Sequence, residues 1–256
     1  MKISIVTVTY NSAATIKDTI ESVLSQSHKD FEHIIIDGVS KDGTMEIVKK
    51  FEPFYDGKLR YISEPDTGIY NAMNKGLKMA EGEVLGTLNS DDILADSSAL
   101  SLISQELEDK DTDCVFGRLY LVRPDDMTKV LRENNCGPYK EGAFFKGWHP
   151  PHPTFYAKSE CYRRLGYFNE SLKIASDFDL LLRFLEKNHL KSKFIDHVLV
   201  RQRAGGASTS FSGHVKGNLE VLRAFKLNGF KVPAMCIPGK VLPKVKDAIK
   251  RKIGLR

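Results

Sequence analysis

The chain has 256 residues, 41% of them hydrophobic and 28% charged, and a formal net charge of +5. Those fractions belong to a soluble globular protein with a substantial core, in one large domain or two lobes, and they exclude disorder. Lysine and arginine are spread along the chain until its end, which excludes a general nucleic-acid footprint.

Short β-branched or aromatic runs alternate with segments of helical period. Residues 3–9 predict a first strand, after which Asn11 or Ser12 is placed to cap a helix carrying Ile16, Ile20, Val23 and Leu24 on one face. Residues 31–36 predict a second strand, running into Asp37-Gly38-Val39-Ser40-Lys41-Asp42-Gly43-Thr44, where glycines permit positive φ and Thr44 caps the next helix. A third strand at 59–63 leads through Glu64-Pro65-Asp66-Thr67-Gly68 to a helix with Ile69, Met73, Leu77 and Ala80 at helical spacing. A fourth, at 83–88, stops at Asn89-Ser90-Asp91-Asp92. Such βα units build a parallel sheet whose strands all end on one edge, and open α/β sheets bind ligands there.

Beyond Asp92 the alternation loosens. A helix at 97–107 precedes strand-like 114–117, 119–122 and 129–131, and the prolines of Trp148-His149-Pro150-Pro151-His152-Pro153 predict an extended, rigid loop. Asp177 and Asp179 open an apolar helix, and a last strand is expected at 194–200. Cys114, Cys136, Cys161 and Cys236 are widely spaced and read as reduced structural thiols rather than zinc ligands. The first strand is too short for a secretory h-region, and no segment has the roughly 18 apolar residues of a membrane span, so a cytoplasmic location is expected.

Several residues carry two readings each. Asp91 and Asp92 are turn residues or ligands of a hard cation; magnesium and manganese take oxygen donors, commonly one or two carboxylates with substrate phosphates, which points to a nucleoside diphosphate as co-ligand. Asp37 is a strand-end turn residue or an acceptor for a base N–H, with the ring resting near Tyr10. Lys75 is a solvated helix residue or a phosphate contact. Asp177 is an N-cap or a general base: with Asp179 four residues before Arg183, one acid can pair with the arginine and leave the other free. His149 and His152 are loop packing, metal ligands or bases.

In order along about residues 3–210, these motifs resemble the family-2 inverting glycosyltransferases of the GT-A fold, of bacterial polysaccharide-assembly type. Val8-Thr9-Tyr10-Asn11 and 37–44 are similar to the family's two nucleotide motifs, and 64–76 to the segment that closes the donor pocket. Asn89-Ser90-Asp91 stands at its D-x-D metal motif with Asn89 in the first place, and 175–183 resembles its E-D-x-D-L-x-x-R stretch with Ser176 in place of the glutamate. Gln202-Arg203 and the glycine-rich 204–208 resemble the late segment that folds over the donor, without the tryptophan of processive polymerases.

The resemblance implies an α/β fold with a Rossmann-like nucleotide-binding half, its mixed central sheet fused to an acceptor half, and C-terminal helices, divided as 1–95, 96–210 and 211–256. It implies inverting transfer of a single sugar from a nucleoside-diphosphate sugar, a UDP-sugar first, to a hydroxyl of a glycan or lipid-linked acceptor in surface polysaccharide synthesis. Asp177 is then the base, and Thr9, Tyr10, Asn11, Asp37, Asp66, Lys75, Asn89, Ser90 and Arg203 bind the donor. Asp91, with Asp92 as the adjacent alternative, holds Mg2+ or Mn2+, and Trp148, His149, His152 and Asp179 face the acceptor. The basic and apolar tail, 240–256, is a solvated amphipathic helix or a hold on the inner face of an anionic membrane. A nucleotidyltransferase or dehydrogenase would want a glycine-rich loop where Thr9-Tyr10-Asn11-Ser12-Ala13 stands. A non-catalytic sugar-nucleotide-binding or scaffold protein is the remaining alternative.

Overall fold

The computed structural model describes residues 1–205 and 211–233, the side chains of 211–214 excepted. Cys236 and the tail at 240–256 lie outside the described residues, as do Gly206, Ala207 and Ser208 of the glycine-rich segment.

Four parallel strands form one side of the sheet in the order β3 (Leu59–Ser63), β2 (Phe31–Asp37), β1 (Ile3–Thr9), β4 (Val84–Thr87). Every residue of β1 and β2 is buried, as expected of near-continuous apolar runs covered by helices on both faces. Among the polar residues inside them, Ser4, Thr7, Glu32 and His33 pair across the two strands or with a covering side chain. Ser4 Oγ donates to Glu32 Oε1 at 2.6 Å, and His33 contacts the Thr7 hydroxyl at 2.9 Å and the Tyr55 hydroxyl at 2.6 Å. Helices α1 (Ile16–Leu24) and α2 (Thr44–Phe51) cover one face, and α3 (Ile69–Met79) covers the other. The last packs so closely that a Cβ on Gly76 would lie 2.3 Å from Val6 Cγ1.

The sheet then turns mixed. The strand β4 pairs antiparallel with β8 (Tyr156–Lys158), and the order continues through β6 (Cys114–Arg123) and β9 (Ser192–Arg203) to β5 (Ile93–Leu94), with β7 (Asp126–Asn134) as a hairpin partner of β6. Among the described residues this makes one nine-stranded sheet, continuous across residue 95. The expected strands 114–117 and 119–122 are a single strand, irregular where Gly117 lets Leu199 cross: a Cβ there would sit 2.7 Å from Leu199 Cδ1. The last strand is longer than its apolar stretch, because 201–203 continue pairing beside 120–122.

Helix α4 (Ala99–Leu107) packs with α1 and α2 over Ile3, Ile5, Ile35 and Tyr156. Across the sheet α3, α5 (Ser159–Leu165), α6 (Ser176–Leu181, continuing as a π-helix over Leu182–Lys187) and α7 (Phe211–Leu227) enclose Val6, Ile36, Phe116, Phe155, Phe178 and Phe184. Neither Asn11 nor Ser12 caps α1, whose N-cap is Thr15. Asn11 instead takes φ +50° and ties two loops together.

Candidate functional site

Parallel pairing brings Thr9, Asp37, Ser63 and Thr87 to one edge of the sheet. Asp37 is fully buried and serves its own loop: its carboxylate accepts the Ser40 N–H at 3.1 Å, the Ser40 hydroxyl, and the Ser63 hydroxyl at 2.6 Å. It is therefore sealed beneath the rim and presents no acceptor to a base, contrary to the sequence expectation. The next residue, Gly38, makes room for a second carboxylate. A Cβ on Gly38 would lie 2.7 Å from Asp66 Oδ2 and 3.4 Å from Tyr10 Cδ2, so the missing side chain leaves room for the Asp66 carboxylate beside the Tyr10 ring. Tyr10 is 65% exposed, and Asp66 is fixed by accepting the Gly68 N–H at 2.8 Å. Thr9 contributes a buried hydroxyl with no partner among the described residues.

Two expected donor contacts have structural work instead. Asn11 Oδ1 accepts the Lys41 N–H at 2.9 Å while its own N–H donates to Ser40 Oγ at 2.7 Å, joining the loops after β1 and β2. Lys75 Nζ donates to the Pro65 carbonyl and pairs with Glu64 Oε1, both at 2.7 Å, so it braces the 64–68 loop from beneath rather than standing free for a phosphate.

After β4 the acidic pair separates. Asp92 is 1% exposed and accepts from Asn89 Nδ2 at 3.0 Å, the Arg203 N–H at 3.2 Å and Gln202 Nε2 at 3.4 Å. Burial, reinforced by the Asp91 charge, pushes its carboxyl up to about 7. Asp92, the adjacent alternative to Asp91, is thus a buried acid engaged by three donors, with Asn89 as its amide partner, and Asp91 is the more accessible of the two. Ser90 meets the Ser12 hydroxyl at 2.9 Å. Arg203 is anchored too: its guanidinium donates to the Asp91 carbonyl at 2.8 Å and to the Pro124 carbonyl at 3.2 Å, and it pairs with Asp18. Asp91 is left half-buried, its carboxyl raised by burial against the pull of Arg203.

No group of three His, Cys, Asp or Glu side chains able to hold a metal exists among the described residues. One available carboxylate fits a cation whose remaining ligands are phosphate oxygens and water, the usual magnesium arrangement.

On the facing side Asp177 is the second residue of α6 and half-buried. Its Oδ1 accepts the Phe178 N–H at 2.8 Å and lies 3.4 Å from the hydroxyl of Tyr70, which also donates to the Ile174 carbonyl at 2.8 Å. Burial, then the Asp177 charge, raises the Tyr70 hydroxyl far above its ordinary range, so it stays a donor. His152 Nε2 meets Thr87 Oγ1 at 3.2 Å and its ring stands edge-on to Phe168, centroids 5.3 Å apart. Burial lowers its pKa and Asp177 opposes that, leaving a neutral imidazole between the end of β4 and the α6 acid.

The other expected acceptor-side residues divide. His149 packs edge-on against Phe178 of α6. Trp148 is half-buried, donates to the Cys136 carbonyl at 2.6 Å and packs with Phe116, Tyr139 and Phe144, as a core aromatic. Asp179 is buried and turned to the interior, 3.5 Å from Arg183 and accepting from Asn228 Nδ2 at 2.8 Å. It is the acid that pairs with the arginine, and it faces no acceptor.

The description "Glycosyl transferase family 2" matches residues 4–167. The chain belongs to that family. An uncharacterised glycosyltransferase of Rickettsia typhi is 29% identical over 221 residues, spanning 81% of this chain and 65% of that protein. A PGL/p-HBAD biosynthesis glycosyltransferase of Mycobacterium bovis is 26% identical over 206 residues, 77% of this chain and 74% of its own. Among solved structures, S. aureus TarS 1–349 in complex with UDP-GlcNAc superposes with TM-score 0.68 at 20% identity, over 89% of this chain and 66% of that one. The mannosyltransferase PcManGT from Pyrobaculum calidifontis, with GDP-Man and Mn2+, gives 0.66 at 20% identity over 88% and 63%. The fold is thus GT-A.

The family match ends before Asp177 and Arg203. Sequence reasoning passed over Tyr70 and Thr87, which touch Asp177 and His152. Tyr70 lies inside the 64–76 segment, but a core aromatic and a hydroxyl contact 107 residues away have the same local signal.

Proposed function

We propose that this family-2 chain is an inverting glycosyltransferase of the hexosyl-transferring class. It moves one sugar from a nucleoside-diphosphate sugar, a UDP-sugar first, to a hydroxyl of a glycan or lipid-linked acceptor in surface polysaccharide synthesis. The observation that carries this reading is Asp177, a half-buried carboxylate with no ion-pair partner among the described residues, where Asp179 takes Arg183, held by Tyr70 beside a neutral His152.

In the reaction the acceptor O–H bond breaks and its proton passes to the Asp177 carboxylate. The acceptor oxygen bonds to the anomeric carbon as the bond to the diphosphate oxygen breaks on the opposite face, which inverts the centre in one displacement. Asp91 would hold Mg2+ or Mn2+ together with the donor phosphates; when bound, that cation supplies positive charge to the leaving diphosphate. Tyr10 offers a face for the base and Asp66, in place of the sealed Asp37, an acceptor for a base N–H, with Thr9 and Ser90 lining the same rim.

A cytoplasmic location follows from this reading. No helix among the described residues is long and apolar enough to cross a membrane. The tail at 240–256 would add a peripheral hold on the inner face, and its deletion should reduce sedimentation with anionic liposomes.

A thermal-shift panel of nucleotide sugars with Mn2+, followed by product analysis on the best donor, identifies the substrate. Asp177→Asn should then lower transfer by about 10³-fold, within the range of a lost general base, while UDP binding persists. Loss of both together would sink the assignment.

A further inference from the structure

Helix α7 follows the catalytic half in the chain, and its Glu220 reaches the three peptides that lead into α6. Oε1 accepts the Lys173 N–H at 3.0 Å, and Oε2 accepts those of Ile174 at 2.7 Å and Ala175 at 2.9 Å. Ile174 is thereby held on both sides, its N–H by Glu220 and its carbonyl by the Tyr70 hydroxyl at 2.8 Å. That same hydroxyl lies 3.4 Å from Asp177 Oδ1. Just past the end of α7, Asn228 donates to Asp179, two residues beyond Asp177. Bonds from N–H groups to an ionised carboxylate are stronger than neutral ones, and three of them remove the freedom of the approach to α6.

We propose that Glu220 is a positioning residue for Asp177: through the 173–175 peptides it fixes where the Tyr70 hydroxyl and the base meet. The inference rests on the reading of Asp177 as the base. A displacement of about 1 Å at a reacting group can cost roughly 100-fold in rate, so a carboxylate that never touches substrate still governs turnover.

The test compares Glu220→Ala, Glu220→Gln, Val221→Ala and Asp177→Asn in the full chain. Nucleoside diphosphate release is followed from UDP-GlcNAc, UDP-glucose and GDP-mannose, alongside UDP affinity with Mn2+ and the Tm. Val221 is fully buried on the same helix, and its hydrocarbon side chain makes no hydrogen bond to the 173–175 N–H groups, so it reports loss of packing without loss of those bonds. Glu220→Ala should lower kcat at least about tenfold, with UDP affinity within about twofold of the parent. Glu220→Gln should lose only about threefold, because one amide oxygen still serves the Ile174 and Ala175 N–H pair. Val221→Ala should lower the Tm and keep kcat.

Unchanged kcat in both Glu220 variants would overturn the proposal, and so would an equal loss in Val221→Ala at the same drop in Tm. Should the alanine variant not fold, unchanged kcat in Glu220→Gln alone overturns it. Active Asp177→Asn would instead sink the base reading. An inactive Asp177→Asn beside fully active Glu220 variants sinks only this inference.

Discussion

The loop after β4 and the head of α6 each carry a pair of aspartates, and each pair splits into one consumed acid and one half-buried acid. Their cages differ. Asp92 is held by neutral donors, the amides of Asn89 and Gln202 and the Arg203 backbone N–H, and burial raises its carboxyl to about 7. Asp179 is held by Asn228 and by the charge of Arg183, which opposes the same upward push. Arg183 is itself mostly buried, its guanidinium spent on the carbonyls of Leu165, Gly166 and Tyr167 at the end of α5. A neutral cage tolerates loss of its acid's charge, whereas a cation cage depends on it.

Splitting the α6 pair should therefore have the largest effect. Asp179→Ala leaves a buried guanidinium without its counter-ion, at a cost of about 3–5 kcal/mol, read from urea unfolding. A cost under about 1 kcal/mol would erase the distinction, since that is the level of an ordinary hydrogen bond.

The parallel part of the sheet offers a second neutral cage to test, around His33. Burial between the Thr7 and Tyr55 hydroxyls lowers its pKa to about 3, below the ordinary unfolded value. The unfolded chain then binds the proton first, so the stability held above the unfolded pKa drains away as pH falls toward the folded one. About 2 kcal/mol should be lost between pH 7 and pH 5 by linkage, and His33→Gln should flatten that part of the profile. An equal slope in the variant would assign it to other groups.

Smaller effects distinguish the members of the β4 pair. Asp91→Asn should weaken Mn2+-dependent UDP binding by about tenfold, the lower range for losing support of a bound metal, with little change in Tm. Asp92→Asn should do the reverse, costing about 1 kcal/mol of stability through one mismatched hydrogen bond and leaving the Mn2+ dependence alone. Exchange of these two phenotypes would invert the assignment of ligand and structural acid.

Much of the fold was legible because it is local. Alternating apolar runs and helical periods placed β1 to β4, α2 and α3 within a residue or two, while α1 begins three to four residues later than its expected cap, and strand ends placed Asp37 and the acidic cluster after β4 toward one edge. The second half was less legible. Its strands are cut by Gly117 and extended by the pairing of 201–203, and both features depend on Leu199 and β6 rather than on neighbouring residues. Among site residues, the i,i+4 spacing of Asp179 and Arg183 announced that one acid would be neutralised, and Asp177 was the one left.

By itself the sequence determined the βα order, the acidic stops at strand ends and the family of motifs, since propensity and periodicity act within a few residues. Only the tertiary structure decided which carboxylates remain available. Asp37 is sealed by Ser63 from the next strand, Asp66 enters the space that Gly38 leaves, and Asp92 is claimed by the backbone of β9. The approach to Asp177 is held by a helix that follows in the chain. The physical reason is that a buried acid must find its hydrogen-bond donors wherever packing brings them, and that partner lies at no fixed distance along the chain.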